Sequence, residues 1–347
     1  MNIIYLRDEY ILNECRTPLI PLDIKKLINH GFKVYIQYST KRVYNNNDYK
    51  NIANEIEFTN EQWYNDKFSN ALIIGLKEIQ HLDKLSNHKH LYFSHSYKNQ
   101  YCSDLILNSF KNSNSIIYDF EYFLYNNKKR IISFGYYAGV VGAVLGLLQY
   151  AFKKNYNDDI SDLRYFYSID ELLATLTPFK DDFLNINIGV IGYKGNCGNG
   201  VTYILEKLNI NYVIIEKFSS IKDFDFDIFY NCILLKPESK EVFFDKNSIF
   251  KKQTIIVDIS CDCYVENNPI RIYNECTTWK KPVYNYNDYV DIISISNLPS
   301  LLPKESSDYF SNKCVQLLLE MNNDKNGYWS NCKKEYIKNI EKINLSK

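Results

Sequence analysis

The sequence predicts an α/β protein built on parallel sheets, with a nucleotide-binding unit in its second half. Three observations carry this. Residues 186–200 read INIGVIGYKGNCGNG, an apolar run closed by Gly192, Gly195, Gly198 and Gly200, and VTYILEKL follows with apolar residues at helical spacing. Strand, glycine turn and helix in that order let backbone N–H groups approach a pyrophosphate at the positive end of the helix dipole. Short apolar runs alternate with helical segments along the chain, as parallel sheets require. The most apolar run, residues 136–152, carries Gly139, Gly142 and Gly146 on one helical side. It is short for a membrane span and reads as a buried helix crossing between domains, packed closely against a neighbour.

The elements follow in order. Residues 2–6 form a strand ending at Arg7. Residues 22–29 form a helix that His30-Gly31 stops. Strands are expected over 32–38, 71–76, 91–97 and 115–118, with a helix over 103–110. Ligands of parallel sheets gather at the carboxyl ends of strands. Lys77, His95 and Glu121 all fall there. After the apolar helix come a polar connector at 153–162 and a weak helical segment at 169–176. Strands over 228–235, 253–260 and 291–295, alternating with helices, make the glycine unit one half of a Rossmann-type domain. Glu216 closes the run after the glycine helix, where a ribose-binding carboxylate belongs. The glycine spacing is looser than G-x-G-x-x-G, so the turn alone also reads as an empty tight turn. Residues 309–321 are a last amphipathic helix, and the charged end packs back or frays. Composition breaks at 133–134 and near 302–307 divide the chain into 1–133 plus 306–347, and 134–305.

Composition excludes several classes. The chain has 347 residues, 46% hydrophobic and 24% charged, enough for two folded domains. Lys plus Arg and Asp plus Glu both total 41, so it lacks the basic surface that nucleic-acid binding needs. The 31 Tyr are a bias spread over the whole chain. Nine Cys without paired C-x-x-C spacing, and no signal-peptide pattern, fit a cytoplasmic protein with reduced thiols. Cys261-Asp-Cys263 has no matching Cys/His pair, so no metal is expected. A strand-end lysine and histidine from one sheet can serve as a proton-transfer pair. Taken singly, Lys77 reads as a solvated strand end and His95 as a hydrogen-bonded imidazole. Arg7, Arg16 and Arg130 near strand ends together suit a polycarboxylate, while each taken singly reads as a surface charge.

The segments LRDE (6–9), ECRTPLIP (14–21), IIGLKE (73–78), FSHSYKNQ (93–100), YDFEY (118–122), SFGYYAG (133–139), GNCGNG (195–200), VDISCD (257–262) and ISNLPSLLP (295–303) resemble, in one order, the NAD-dependent, lysine-forming saccharopine dehydrogenases. The resemblance implies two Rossmann-like doubly wound α/β domains with a cleft between them, related to alanine dehydrogenases. It implies oxidative deamination of saccharopine with NAD and water to L-lysine and 2-oxoglutarate, the last step of the aminoadipate route. The hydride leaves the glutamyl α-carbon, the imine adds water, and the carbinolamine collapses. Lys77 matches the base that takes the proton of the secondary amine, and His95 the group that handles water addition and collapse. Arg16, Gln100, Arg130, Phe134, Ser260, Cys261 and Asp262 match substrate-binding positions. Gly195 and Asn196 match pyrophosphate contacts, and Glu216 the ribose contact, its charge favouring NAD over NADP while Lys217 beside it works against that. Lys129, Ser220, Leu234, Ile259, Ile295, Ser296, Asn297 and Leu298 align with the remaining cofactor contacts. Cys197 and Cys232 are expected near the nucleotide at two strand ends, as free thiols by default with a reversible disulfide as the alternative. The family has Asp-His where this chain has Ser296-Asn297, which removes a negative charge able to tune Lys77. Partners beyond saccharopine, lysine and 2-oxoglutarate are not expected, and a monomer away from membranes is. Two other readings stay open: an alanine- or opine-type amino-acid dehydrogenase, and an NAD-binding homologue without turnover.

Overall fold

Short runs of three to six residues, most of them rich in β-branched and aromatic side chains and bounded by turns, become the strands of two largely parallel sheets. The computed structural model describes residues 2–97, 102–126, 129–220, 224–233, 239–261 and 268–345. In chain order the elements begin β1 (Asn2–Leu6), α1 (Pro21–Asn29), β2 (Phe32–Gln37), α2 (Asn46–Lys50), β3 (Glu57–Thr59), β4 (Leu72–Ile74), β5 (Lys89–Tyr92), α3 (Ser103–Asn112), β6 (Ile116–Asp119), β7 (Leu124–Tyr125), β8 (Lys129–Arg130) and α4 (Gly135–Tyr156). They continue with α5 (Ile169–Ala174), β9 (Ile188–Ile191), α6 (Asn196–Lys207), β10 (Val213–Ile215), β11 (Ile228–Asn231), β12 (Thr254–Asp258), β13 (Tyr284–Asn287), β14 (Val290–Ile293), α7 (Pro303–Glu320) and α8 (Tyr328–Leu345). The chain divides into two units, Met1–Ser133 with Pro303–Lys347, and Phe134–Leu302.

The first unit holds a six-stranded sheet in the order β3-β2-β1-β4-β5-β6. All its pairs are parallel. The strand order turns back between β1 and β4, and the crevice beyond such a switch point is where open α/β sheets bind ligands. Helix α7 rejoins the first unit late in the chain. The Ser307 and Ser311 hydroxyls accept from the Thr17 and Ile20 N–H groups at 3.0 and 2.9 Å. Helix α8 backs β6, with the buried Tyr336 hydroxyl donating to the Ser115 carbonyl at 2.7 Å. Where the sequence suggested a charged end that packs back or frays, 18 residues form a helix. Strand β5 stops at Tyr92, short of the expected 97, so His95 stands in the loop beyond it.

Beside Trp63 and Phe110, at ring distances of 4.8 and 5.4 Å, lies His90, 1% exposed, and neither ring nitrogen has a hydrogen-bond partner among the described residues. Burial, then the nearby His88 and Arg7, push its pKa well below the ordinary value. The unfolded chain therefore binds a proton that the folded one refuses. Stability from this site is present above an ordinary histidine pKa of about 6.5 and is lost as pH falls below it, by up to about 1.4 kcal/mol per pH unit. His90→Phe should flatten this slope. Urea midpoints at neutral and mildly acidic pH check it; equal pH dependence in both proteins would refute the assignment.

The second unit holds a sheet in the order β10-β9-β11-β12-β14-β13. It is parallel except for β13 at its edge. The apolar run becomes α4, a helix of 22 residues lying wholly in this unit instead of crossing between domains. With α6 it covers one face of the sheet, over Val190, Tyr230 and Val257. A Cβ on Gly139 would stand 1.9 Å from the Cys197 carbonyl oxygen, and one on Gly200 2.0 Å from that of Tyr136. The two backbones touch, which only glycine allows. The alternation of helices expected after the glycine turn is thinner than predicted: among the described residues α6 is the one α-helix between β9 and β14. The opposite face is covered instead by a cluster of Phe218, Phe224, Phe243, Phe244 and Phe250.

Candidate active site

Four adjacent strands of the first unit, β1, β4, β5 and β6, end with the groups that matter. The ladder between β4 and β5 continues past the strands, Gly75 N–H to Leu91 O at 3.1 Å and Phe93 N–H to Leu76 O at 3.2 Å. Lys77 and His95 therefore leave the same edge of one sheet from neighbouring strands. Lys77 is held by its backbone. Glu9, buried just beyond β1, accepts from the Leu76 and Lys77 N–H groups at 2.6 and 3.0 Å. Arg7 pairs with Glu9 at 3.1 Å and donates to the Lys77 carbonyl. Its guanidinium is thus a brace for the lysine loop, not the carboxylate-binding group its strand-end position suggested.

Arg16 is buried and meets Glu14 as a fork, Nε to Oε1 at 2.7 Å and a terminal nitrogen to Oε2 at 2.5 Å. Burial raises the Glu14 carboxyl. The Arg16 charge and hydrogen bonds, helped by the positive charge of Lys77, outweigh it and hold the pKa below the ordinary value. Glu14 therefore carries a negative charge that both cations feel. Arg130 in β8 donates to Glu121 at 2.7 Å, and Lys129 beside it is exposed.

His95 adopts φ +49, a left-handed backbone uncommon for non-glycine residues. Its ring stacks on Phe93 at 6.3 Å and 17°. Phe93 in turn packs on Phe120 and Phe310. On either side of His95 the buried Ser94 and Ser96 hydroxyls lie 2.7 Å apart. Ser94 also donates its N–H and its hydroxyl to Oδ2 of Asp119 at 3.1 and 2.5 Å, while Oδ1 accepts from Glu121 N–H at 2.8 Å. Burial, then the charge of Glu121, raise the Asp119 carboxyl to about 6 against the Ser94 hydrogen bond. It remains mostly ionised near neutral pH.

In the second unit a cavity of about 450 Å³ opens at the carboxyl ends of β9, β10 and β11. It is lined by Gly192, Tyr193, Lys194 and Gly195 of the turn, Glu216 and Lys217 after β10, and Cys232 and Ile233 after β11. Gly192 has φ +83, and a Cβ there would meet the Cys232 backbone at 2.7 Å. Gly195 caps α6, whose first residue is Asn196, so the free N–H groups of that helix face the turn. A tight glycine turn, a helix N-terminus and an exposed carboxylate after the next strand fit a dinucleotide.

Past β12, Ile259 is buried, and the Ser260 hydroxyl donates to the Ile233 carbonyl at 2.6 Å. Cys261 has φ +48 and donates its N–H to Asp258 at 3.2 Å. Buried Asp258 also accepts from Asn231 at 2.9 Å and from the Tyr273 hydroxyl. Ile295 and Leu298 are core residues. Ser296 is exposed, and Asn297 accepts from Trp279 Nε1 at 3.1 Å. Phe134 is half-buried at the start of α4. Cys197 and Cys232 are not disulfide-bonded, but Cys276 is, so the expectation of reduced thiols fails at that residue. Cys232 follows β11, but Cys197 sits in the first turn of α6 and not at a strand end. Gln100, Leu234 and Asp262 lie outside the described residues, as does the side chain of Ser220. Glu9, Glu14 and Asp119 were not singled out from the sequence. The acidic residue two positions before Arg16 was the available signal for Glu14.

Comparison with known proteins agrees with this geometry. Residues 5–141 match the family model for the alanine dehydrogenase/PNT N-terminal domain, and residues 245–343 the one for the C-terminal domain. The chain is 33% identical to the saccharopine dehydrogenase [NAD(+), L-lysine-forming] of Candida glabrata, over 92% of this chain and 91% of that protein. It is 30% identical to the enzyme of that name from Schizosaccharomyces pombe, over 98% and 99%. Among solved structures it resembles an L-alanine dehydrogenase, with a TM-score of 0.70 and 11% identity over 97% of this chain and 94% of that one. It also resembles the transhydrogenase from Sinorhizobium meliloti, with a TM-score of 0.61 and 12% identity over 91% and 92%.

Proposed function

The chain belongs to the NAD-dependent, lysine-forming saccharopine dehydrogenase family, and from that membership we propose that it oxidises saccharopine to L-lysine and 2-oxoglutarate. It is an NAD-dependent oxidoreductase of α/β fold with Rossmann-like domains, and its reaction belongs to lysine biosynthesis. The observation that carries the reading is the shared sheet edge from which Lys77 and His95 emerge, beside a buried arginine–glutamate fork.

NAD, when bound, supplies the hydride acceptor. The turn residues Gly192 and Gly195 and the N-terminus of α6 would hold its pyrophosphate, with Asn196 beside them, and Glu216 would hold the adenosine ribose hydroxyls. Lys129, Ser220, Leu234, Ile259, Ile295, Ser296, Asn297 and Leu298 are the further cofactor-binding residues that family membership supports. Lys77 takes the proton of the substrate's secondary amine, which leaves the nitrogen lone pair free to assist departure of the α-hydrogen. His95 then removes a proton from the water that attacks the imine carbon and returns it as the carbinolamine collapses. Arg16 and Arg130 meet substrate carboxylates, exchanging their hold on Glu14 and Glu121, while Gln100, Phe134, Ser260, Cys261 and Asp262 complete the substrate contacts. The protein acts as a cytoplasmic monomer, away from membranes and nucleic acid. That α4 has 61% of its most apolar stretch buried supports a core role for this helix.

The test is saccharopine-dependent reduction of NAD followed by nicotinamide absorbance, with alanine as the comparison substrate. Turnover with saccharopine and none with alanine is expected; the reverse would overturn the proposal. NADP should serve poorly because Glu216 repels a 2′-phosphate. Glu216→Ala should narrow the NAD-to-NADP ratio of kcat/KM by about tenfold or more, since it removes the carboxylate charge from a cavity that Lys194 and Lys217 also line.

A further inference from the structure

We propose that Asp119 is the positioning residue for His95, acting through the Ser94–His95–Ser96 loop; this rests on the reading of His95 as the group that handles water. Four observations converge on it. His95 is held in a left-handed backbone conformation, which persists in a side-chain-bearing residue only where the surroundings enforce it. The serines on either side are buried and joined at 2.7 Å. Ser94 gives both its N–H and its hydroxyl to one carboxylate oxygen of Asp119. The other oxygen fixes the N–H of Glu121, the partner of Arg130.

The donors run in one direction. An ionised carboxylate only accepts, so the Ser94 proton points at Asp119. The Ser94 oxygen must then accept from Ser96. The two hydrogen bonds thus close the loop around His95 from both sides and draw it to the end of β6. The ring itself gains its tilt from Phe93, which Phe120 and Phe310 hold in place. None of these groups needs to touch the substrate. Their effect is to keep one imidazole within reach of the reacting carbon, and a displacement of about 1 Å at such a group costs on the order of 10²-fold in rate.

Asparagine at 119 cannot serve three donors in this arrangement, because its amide nitrogen would face an N–H or a hydroxyl that needs an acceptor. The experiment is a double-mutant cycle of Asp119→Asn with His95→Gln, in full-length protein, reading kcat, KM for saccharopine and NAD affinity. We expect Asp119→Asn alone to lower kcat by about tenfold or more with NAD affinity unchanged, and to lower it by no more than about twofold in the His95→Gln background. Ser94→Ala removes one donor with little loss of packing. It should show the same pattern more weakly, and it carries the test if Asp119→Asn fails to fold. Full activity in these variants, or equal losses with and without the imidazole, would overturn the proposal. Full activity in His95→Gln alone would instead remove the role of His95 and leave the loop geometry as it is.

Discussion

Lys77→Met should lower kcat for saccharopine oxidation by about 10²-fold or more while leaving NAD affinity near its original value. Loss of a general base costs about 10² to 10⁴ in rate. The described residues that line the nucleotide cavity all belong to the other unit. The expectation is specific to the side chain. The loop is held through the Lys77 backbone, by Glu9 at its N–H and by Arg7 at its carbonyl. Methionine keeps both contacts and nearly the same shape, so the variant loses the amine and little else. An unchanged kcat would remove Lys77 from the reaction however well its neighbours are arranged.

Gly200→Val should destabilise the second unit by about 3 kcal/mol or more, the upper range for overpacking a filled interior. The added carbons would enter the Tyr136 carbonyl from 2.0 Å away, and the next backbone atom, Val140 N, is 2.8 Å off. Backbone cannot rotate aside as a side chain does. Helices α4 and α6 must separate, and the turn from Gly192 to Gly195 moves with α6. Urea unfolding and NAD titration should therefore fail together, with an earlier midpoint and weaker binding. A midpoint close to that of the parent protein would mean that the helices part without cost.

Much of this was legible in the chain, for identifiable reasons. The glycine turn and the helix after it follow from backbone sterics and end where the pattern ends. Strands β1, β2, β4, β9, β11 and β12 lie within the predicted runs because buried parallel strands are continuously apolar. What was missed was short, polar or non-local. Strand β3 is three residues, EFT, and β13 reads YNYN; both are edge strands whose pairing is set by a neighbour. The alternation LYFSHSY reads as a strand to 97, yet Ser94 and Ser96 spend their polar groups on Asp119 and on each other instead of on a partner strand. Helix α8 is rich in lysine and asparagine, and its helical stripe is only evident once β6 is there to receive it. Arg7 and Arg16 looked alike as strand-end cations. Only coordinates separate the one that braces a loop from the one that forks with a carboxylate at Lys77's side.

The first unit is assembled from two separated stretches of the chain, with α7 and α8 supplied by residues that leave the ribosome after the whole second unit. Residues 134–302 have therefore emerged before the opening segment receives the serines at 307 and 311 that satisfy its Thr17 and Ile20 amides. Nascent chains halted before residue 303 should protect their middle from protease while their beginning is still cut, an order of maturation opposite to the order of translation.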